Sequence, residues 1–449
     1  MYSLMIKQFL RSRVALVAVV LTLFMGVISI LIGKQFLLKQ EDTIARVTEQ
    51  QQQHIERNVA AHTDELGLLL YYVRFALISP PDKLSALSIG QRDVTPGIQS
   101  VTIRALEGQK YDTELANPTQ QQSGNLDLGF VIIYLFPLVI IAFTFNLLSE
   151  ETETGTWRLV AVQSRSTFRY LLSKLSVRAL FLYGTLFVLL ALAVVIIGVP
   201  LNGAFAGFVA LGVLYLAFWF ALCFWVVSFK RGSGFNVLTL LSIWTVLNIL
   251  LPASVNSYVT AAHPIPESLA TTVQQRNSYH EKWDMDKKVT MDKFYAHYPQ
   301  FARYGVPDQE FKWLWYYAMQ QMGDDESATQ SQAMRAKIIQ REQTSRAIAL
   351  AVPTLHAQLQ FNDLAQTSLG NYVGLLDSAT TFHERLRLYF YPKIFDNVSA
   401  KGEDWSRFKP EYIRAEPQIS WVTMLAPLVV MVLVLAVWAL RNARRLTSL

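Results

Sequence analysis

Residues 128–157 read LGFVIIYLFPLVIIAFTFNLLSEETETGTW. The first part, Leu128–Leu148, carries no charge and is 21 residues long. A bilayer core about 30 Å thick needs about 20 apolar residues at about 1.5 Å each, so this part is long enough to span it. The second part, from Ser149 onward, turns at once to carboxylates and hydroxyls. Five further stretches pass the same test without a charged side chain: Val14–Gly33, Ala179–Val199, Ala204–Ser228, Phe235–Ser254 and Trp421–Leu440. Lipid offers no hydrogen-bond partners to an open backbone, so all six are expected to be helices.

Composition agrees. Hydrophobic residues make up 52% of the 449 residues and charged ones only 16%, against about 25% in ordinary globular chains. The net charge of +6 comes from basic residues flanking the apolar runs. No basic stripe with interleaved aromatics occurs, which argues against a nucleic-acid partner. Cys223 is the sole cysteine, which excludes an internal disulfide and a thiolate metal site.

Lys and Arg near span ends set the orientation. They lie in residues 1–13 (Lys7, Arg11, Arg13), 149–178 (Arg158, Arg165, Arg169, Lys174, Arg178), between spans four and five (Lys230, Arg231), and in the tail 441–449 (Arg441, Arg444, Arg445). The short connection Pro200–Gly203 has none. The expectation is a multi-pass protein of a bacterial inner membrane, with both termini cytoplasmic. Residues 34–127 and 255–420 would then lie in the periplasm. The first apolar run is longer than a signal-peptide core and lacks a small-residue cleavage pattern, so it is expected to remain as span one.

The outer segments read as mostly helical with a minor β component. Gln35–Ala61 has helical spacing and would extend span one as a stalk, ended by Pro80 and Pro81 at the latest. Ser100–Leu106 alternates weakly, as a strand does. Asp308–Met322 and Ser331–Leu350 are expected as separate helices, and Asn362–Phe390 as a packed amphipathic one.

Catalytic and metal signatures are missing. No phosphate loop occurs, so the chain does not bind ATP in that manner. His383-Glu384 starts like a zinc-protease motif, but position 387 is Arg, which removes the second ligand. The seven histidines, at 54, 62, 263, 280, 297, 356 and 383, include no pair four residues apart. No metal site is expected, and an enzyme is disfavoured for want of any acid–base or nucleophile constellation.

The stretch after span two is the most informative. Glu150, Glu151 and Glu153 open a short segment, where acids suit the positive end of a helix dipole. Thr154 or Thr156 would cap it, and Gly155 permits a sharp turn. Glu151, Glu153, Gly155 and Thr156, followed by Ser164-Arg165 and Lys174, resemble the E-x-E-x-G-T region of ABC-2-type transporter permeases. Val162 stands where that family often has proline. The six-span layout, the amphipathic start Met1–Arg13 and the phrase Leu87–Pro96 are similar to a subgroup with large insertions after spans one and five.

That resemblance implies the membrane half of an ATP-driven transporter, most often an exporter. It would pair with itself or a related permease and bind two ATPase subunits, which carry ATP and Mg; this chain would bind no cofactor. Glu150, Glu151, Glu153, Gly155, Thr156, Arg158, Ser164, Arg165 and Lys174 would form the coupling segment, with Glu151, Glu153 and Arg165 at the contact. Spans two and five would border the passage, where Thr144, Asn146, Ser242, Thr245 and Asn248 either line it or join helices. Their freedom from charge favours an amphipathic or lipid-like substrate over an ion. The outer domain would gate release or dock a periplasmic adaptor. The alternative is a membrane scaffold or mechanotransmitter, relaying ATPase motion outward without transport.

Overall fold

The computed structural model describes residues 2–110, 125–157, 167–265, 282–414 and 419–444. Among them six helices are long and apolar enough to cross a membrane: Arg13–Ala61, Leu128–Glu153, Arg169–Ile197, Gly203–Val227, Ser233–Ala262 and Trp421–Asn442, numbered spans 1 to 6. The protein is thus a mainly helical polytopic membrane protein with few strands. The bundle face carrying the N-terminal helix Tyr2–Arg11 and the end of span 6 is called here the terminal face, and the other the distal face.

Span 4 forms the middle of the bundle. Its Phe208, Tyr215, Trp219 and Cys223 are fully buried, and it packs along span 6 and span 2. Spans 2 and 5 each contain one turn of π-helix, Val131–Leu135 and Val246–Leu250, placed just before Pro137 and Pro252. The N-terminal helix rests on spans 2 and 3. Phe9 stacks on Phe181 with centroids 4.4 Å apart and meets Phe143 edge-on at 5.2 Å.

Span 1 continues unbroken for 49 residues, about 73 Å at the helical rise, more than twice the hydrocarbon thickness. Its distal half is fastened to the outer domain. Gln51 accepts a hydrogen bond from the Ala76 N–H at 2.7 Å and donates one to the Phe408 carbonyl at 2.8 Å. Gly33 lies so near the turn at Lys83–Ala86 that a Cβ there would come within 2.0 Å of the Ala86 carbonyl oxygen.

Both insertions build one outer domain. Strand β1 (Phe75–Ile78) pairs antiparallel with β2 (Ile98–Val101), while β3 (Glu411–Tyr412) joins β1 in parallel from the far end of the second insertion. The strand lies earlier than the alternation over Ser100–Leu106 implied, sharing only Ser100 and Val101 with it. The two helices expected between 308 and 350 are one, Trp313–Ala349. Its polar middle marks no break, because Asp324 faces inward and Ser327 bonds back to the Gly323 carbonyl at 2.8 Å. Conversely, Asn362–Phe390 is divided between Pro353–Leu364 and Leu369–Phe395, at a left-handed Gln366 (φ 56°).

A buried polar hub joins the two insertions. The Arg387 guanidinium donates to Asp324 Oδ2 at 2.7 Å, to the Arg104 carbonyl at 2.9 Å and to Gln321. Asp324 in turn accepts the N–H groups of Leu106 and Glu107 at 2.8 and 3.0 Å. His383, beside it, bonds the Thr102 carbonyl at 2.9 Å. The residue that breaks the zinc motif is thus the centre of the domain, and the histidine is structural. Arg387→Ala would leave Asp324 buried and uncompensated, at a cost of about 3–5 kcal/mol. A urea titration of the outer domain, followed by Trp fluorescence, should show that loss.

Burial, and then the Arg387 charge, hold the His383 imidazole well below its usual range. The unfolded chain takes up a proton near pH 6.5 that the folded chain refuses. This contribution to stability is therefore complete above that pH and is lost as pH falls below it. The urea midpoint should drop between about pH 7 and about pH 5. In His383→Gln, whose amide still donates to Thr102, the slope should flatten.

Candidate functional site

The terminal-face end of span 2 is a five-residue helix, Ser149–Glu153, with Glu150 and Glu151 in its first turn. Gly155 follows at φ +75° with open space where a Cβ would stand. Any other L-residue there would meet only backbone strain, about 1–2 kcal/mol. Thr154 closes the helix as its C-cap rather than opening a new one, its hydroxyl donating to the Glu150 carbonyl at 2.7 Å.

The Glu151 carboxylate is turned inward. Its Oε1 accepts from Lys174 Nζ at 2.7 Å and from the Tyr170 hydroxyl at 2.8 Å, and its Oε2 accepts from Thr156 Oγ1 at 2.6 Å. The Lys174 side chain is only 7% exposed, and Glu150 lies 3.8 Å away on its other side. Tyr170 and Lys174 are one helical turn apart, so span 3 presents both to the same carboxylate. A lysine withdrawn this far from water must be paired, and Glu151 supplies the partner.

Glu153 does a different task. Its carboxylate accepts the Ser233 N–H at 2.7 Å and the Ser233 hydroxyl at 3.0 Å. Ser233 begins span 5, and the N-cap residue Gly232 has no side chain to serve that end. An anion at a helix N-terminus satisfies orphan donors and meets the positive end of the dipole. Ser149 and Ser233 share a hydroxyl contact of 2.6 Å, and Asn236 donates to the Phe145 carbonyl at 2.9 Å. Spans 2, 3 and 5 therefore meet at one polar knot. Trp157 adds an apolar anchor beneath it, packed with Leu148, Leu171 and Phe224.

Of the coupling residues expected from sequence, Glu150, Glu151, Glu153, Gly155, Thr156 and Lys174 come together here. Arg158, Ser164 and Arg165, with Val162, lie outside the described residues. Tyr170, Ser233 and Asn236 were not singled out. Only the i, i+4 spacing of Tyr170 and Lys174 hinted at a shared face.

Three of the five polar residues of spans 2 and 5 bond back to their own helices. Thr144 is buried and donates to its own helix at Ile140, 2.6 Å. Thr245 bonds the Leu241 carbonyl at 2.9 Å, and Asn248 the Trp244 carbonyl at 3.0 Å. Ser242 is exposed on the outside of the bundle, and Asn146 is half-buried near the terminal face. Among the described residues no group of three His, Cys, Asp or Glu side chains is arranged to hold a metal.

Residues 88–219 match a family model described as ABC-2 membrane transporter related. Residues 269–412 match one described as a domain of unknown function, DUF3526. The first match includes spans 2 and 3 and the knot residues Glu150–Thr156; the second includes the helices that hold Asp324 and Arg387. No curated protein and no solved structure matches the chain.

Lys174→Met would leave Glu151 without its counter-charge, held only by the Tyr170 and Thr156 hydroxyls, and loosen the segment from span 3. Chymotryptic cleavage after Trp157 in detergent-solubilised protein should then quicken by about tenfold or more, since breaking such a pair costs well over the 1.4 kcal/mol that a tenfold change requires.

Proposed function

We propose, from the match of residues 88–219 to the ABC-2 membrane transporter related family, that the chain is the membrane permease subunit of a transporter and exports an amphipathic or lipid-like substrate. Separate ATPase subunits, two copies bearing ATP and Mg, drive it by docking at the segment between spans 2 and 3. In this reading the terminal face is cytoplasmic, the membrane is a bacterial inner membrane, and the outer domain is periplasmic.

One observation carries the proposal. Glu151 and Glu153 fasten the segment simultaneously to span 3 and to the start of span 5. A push on it would then move three helices together, a rigid-body switch between two packings. The carboxylates act as internal struts, and the ATPase would touch the outer surface of the segment they shape. A second permease, identical or related, would pack on span 5, whose Leu238, Leu241, Ile249 and Leu250 face outward. The charge-free stretches Leu128–Leu148 and Phe235–Ser254 of spans 2 and 5 favour a substrate without a fixed ionic route.

A second reading is favoured by the unbroken helix Arg13–Ala61, pinned to the outer domain at Gln51. Such a rod suits a mechanotransmitter that carries ATPase motion to an outer partner, such as a periplasmic adaptor, without moving a substrate.

The test is recovery of partners from native membranes. Wild type should bring down an ATPase whose turnover responds to the permease. Glu151→Ala/Glu153→Ala should lose that response by about tenfold, as expected when charge-assisted hydrogen bonds are removed. Failure of any ATPase to co-purify under gentle conditions sinks the proposal. A coupled ATPase that moves no amphipathic probe in proteoliposomes would favour the second reading.

A further inference from the structure

On the terminal face a cleft of about 340 Å³ opens between the N-terminal helix and spans 1, 2 and 3. One wall is apolar, made by Met5, Phe9, Val14, Phe143 and Val177; the opposite pole holds Gln8, Asn146, Glu150, Lys174 and Arg178. Arg178 distinguishes it. Its Nη1 is buried and has no hydrogen-bond partner among the described residues. Guanidinium nitrogens withdrawn from water are ordinarily paired, because leaving one bare costs much of its hydration.

The lining carries two cations, Lys174 and Arg178, and one carboxylate, Glu150. Lys174 is already held by Glu151 at 2.7 Å, and Glu150 is the one carboxylate in the lining, 3.8 Å from the same lysine. Arg178 is balanced in charge by Glu150, but its Nη1 makes no hydrogen bond among the described residues. It sits one helical turn beyond Lys174, about 6 Å further along span 3, directly before the charge-free stretch Ala179–Val199. That is the depth at which lipid phosphates lie, at the border of the hydrocarbon.

We propose that this cleft binds the phosphate headgroup of an acidic phospholipid from the leaflet on the terminal face. The phosphate diester meets the free edge of Arg178, the polar headgroup remainder meets Gln8 and Asn146, and an acyl chain lies on the apolar wall. Arg suits phosphate because its planar fork gives two parallel bonds, and basic pockets between spans are a recurrent way of holding acidic lipids. The bound lipid would stand beside the Lys174–Glu151 pair, so its headgroup charge bears on the segment between spans 2 and 3. The site does not depend on the identity of the transported substrate or on the ATPase reading.

Native mass spectrometry of the full chain, titrated with phosphatidylglycerol or phosphatidylcholine, tests the site. Wild type should retain phosphatidylglycerol about tenfold more tightly, because both lipids offer the phosphate diester but the choline ammonium of phosphatidylcholine cancels its charge beside Arg178. Arg178→Gln should abolish the preference while melting normally in phosphatidylcholine. If that variant does not fold, Val14→Trp serves instead: it fills the apolar half, leaves every charge in place, and should equally remove the preference. Full phosphatidylglycerol preference in a folded variant overturns the proposal. Displacement of the lipid by millimolar inorganic phosphate or glycerophosphate would make it a soluble-anion site and overturn the lipid assignment.

Discussion

Inside a bilayer no water is at hand for a backbone N–H or C=O, so a helix that breaks its own ladder must find donors elsewhere. Spans 2 and 5 both break it, each with a π-turn just before a proline. Pro137 has no N–H to give the Ile133 carbonyl, and the buried Tyr215 hydroxyl of span 4 supplies the bond at 3.0 Å. The neighbouring Tyr134 carbonyl receives Trp244 Nε1 from span 5 at 3.3 Å. The irregularity in span 2 is therefore what cross-links it to spans 4 and 5. Packing of the bundle and repair of the backbone are here the same set of contacts.

The same economy appears at both ends of the spans. On the terminal face, carboxylates from the end of span 2 satisfy a buried lysine on span 3 and the bare first turn of span 5. On the distal side, Arg387 and Asp324 satisfy carbonyls and N–H groups of residues 103–107. Each polar cluster closes a long loop in the chain, and neither leaves its charged members free to reach a ligand. Span 1 connects the two levels as a single rigid element, since no proline interrupts Arg13–Ala61. In the proposed function this gives motion at the terminal face a direct route to the outer domain.

The membrane architecture was legible because its cause is local. About twenty uncharged residues cannot rest in water, and arginines beside them fix a side. The outer domain was much less so. Gly323–Gln330 is polar and looked like a gap between helices, yet its Asp324 serves a hub whose central Arg387 lies 63 residues away in sequence. The strand Phe75–Ile78 exists through partners on both sides, Ile98–Val101 and, over three hundred residues distant, Glu411–Tyr412. At the candidate site the residue types and spacing could be read, but not the direction of their side chains. Glu151 and Glu153 suggested an exposed acidic contact; Glu151 is turned toward span 3, while Glu153 stays exposed and bonds the start of span 5. Nothing in the sequence around Lys174 told that it would be buried.

That inward turn alters what the acidic stretch can mean. An exposed carboxylate on a loop is worth little, since water and salt screen it. A carboxylate bound to a lysine with 7% of its side chain exposed cannot leave without stranding a cation, which is far more costly. The segment after span 2 is therefore held to span 3 by a buried pair and to span 5 by the solvent-exposed bonds of Glu153 to Ser233. Gly155 supplies the backbone turn that lets Thr156 reach back to Glu151, so even the glycine belongs to the fastening. A force applied anywhere on the segment's outer surface is received by three spans at once, and the chemistry of the contacting partner need not be written in the acidic residues.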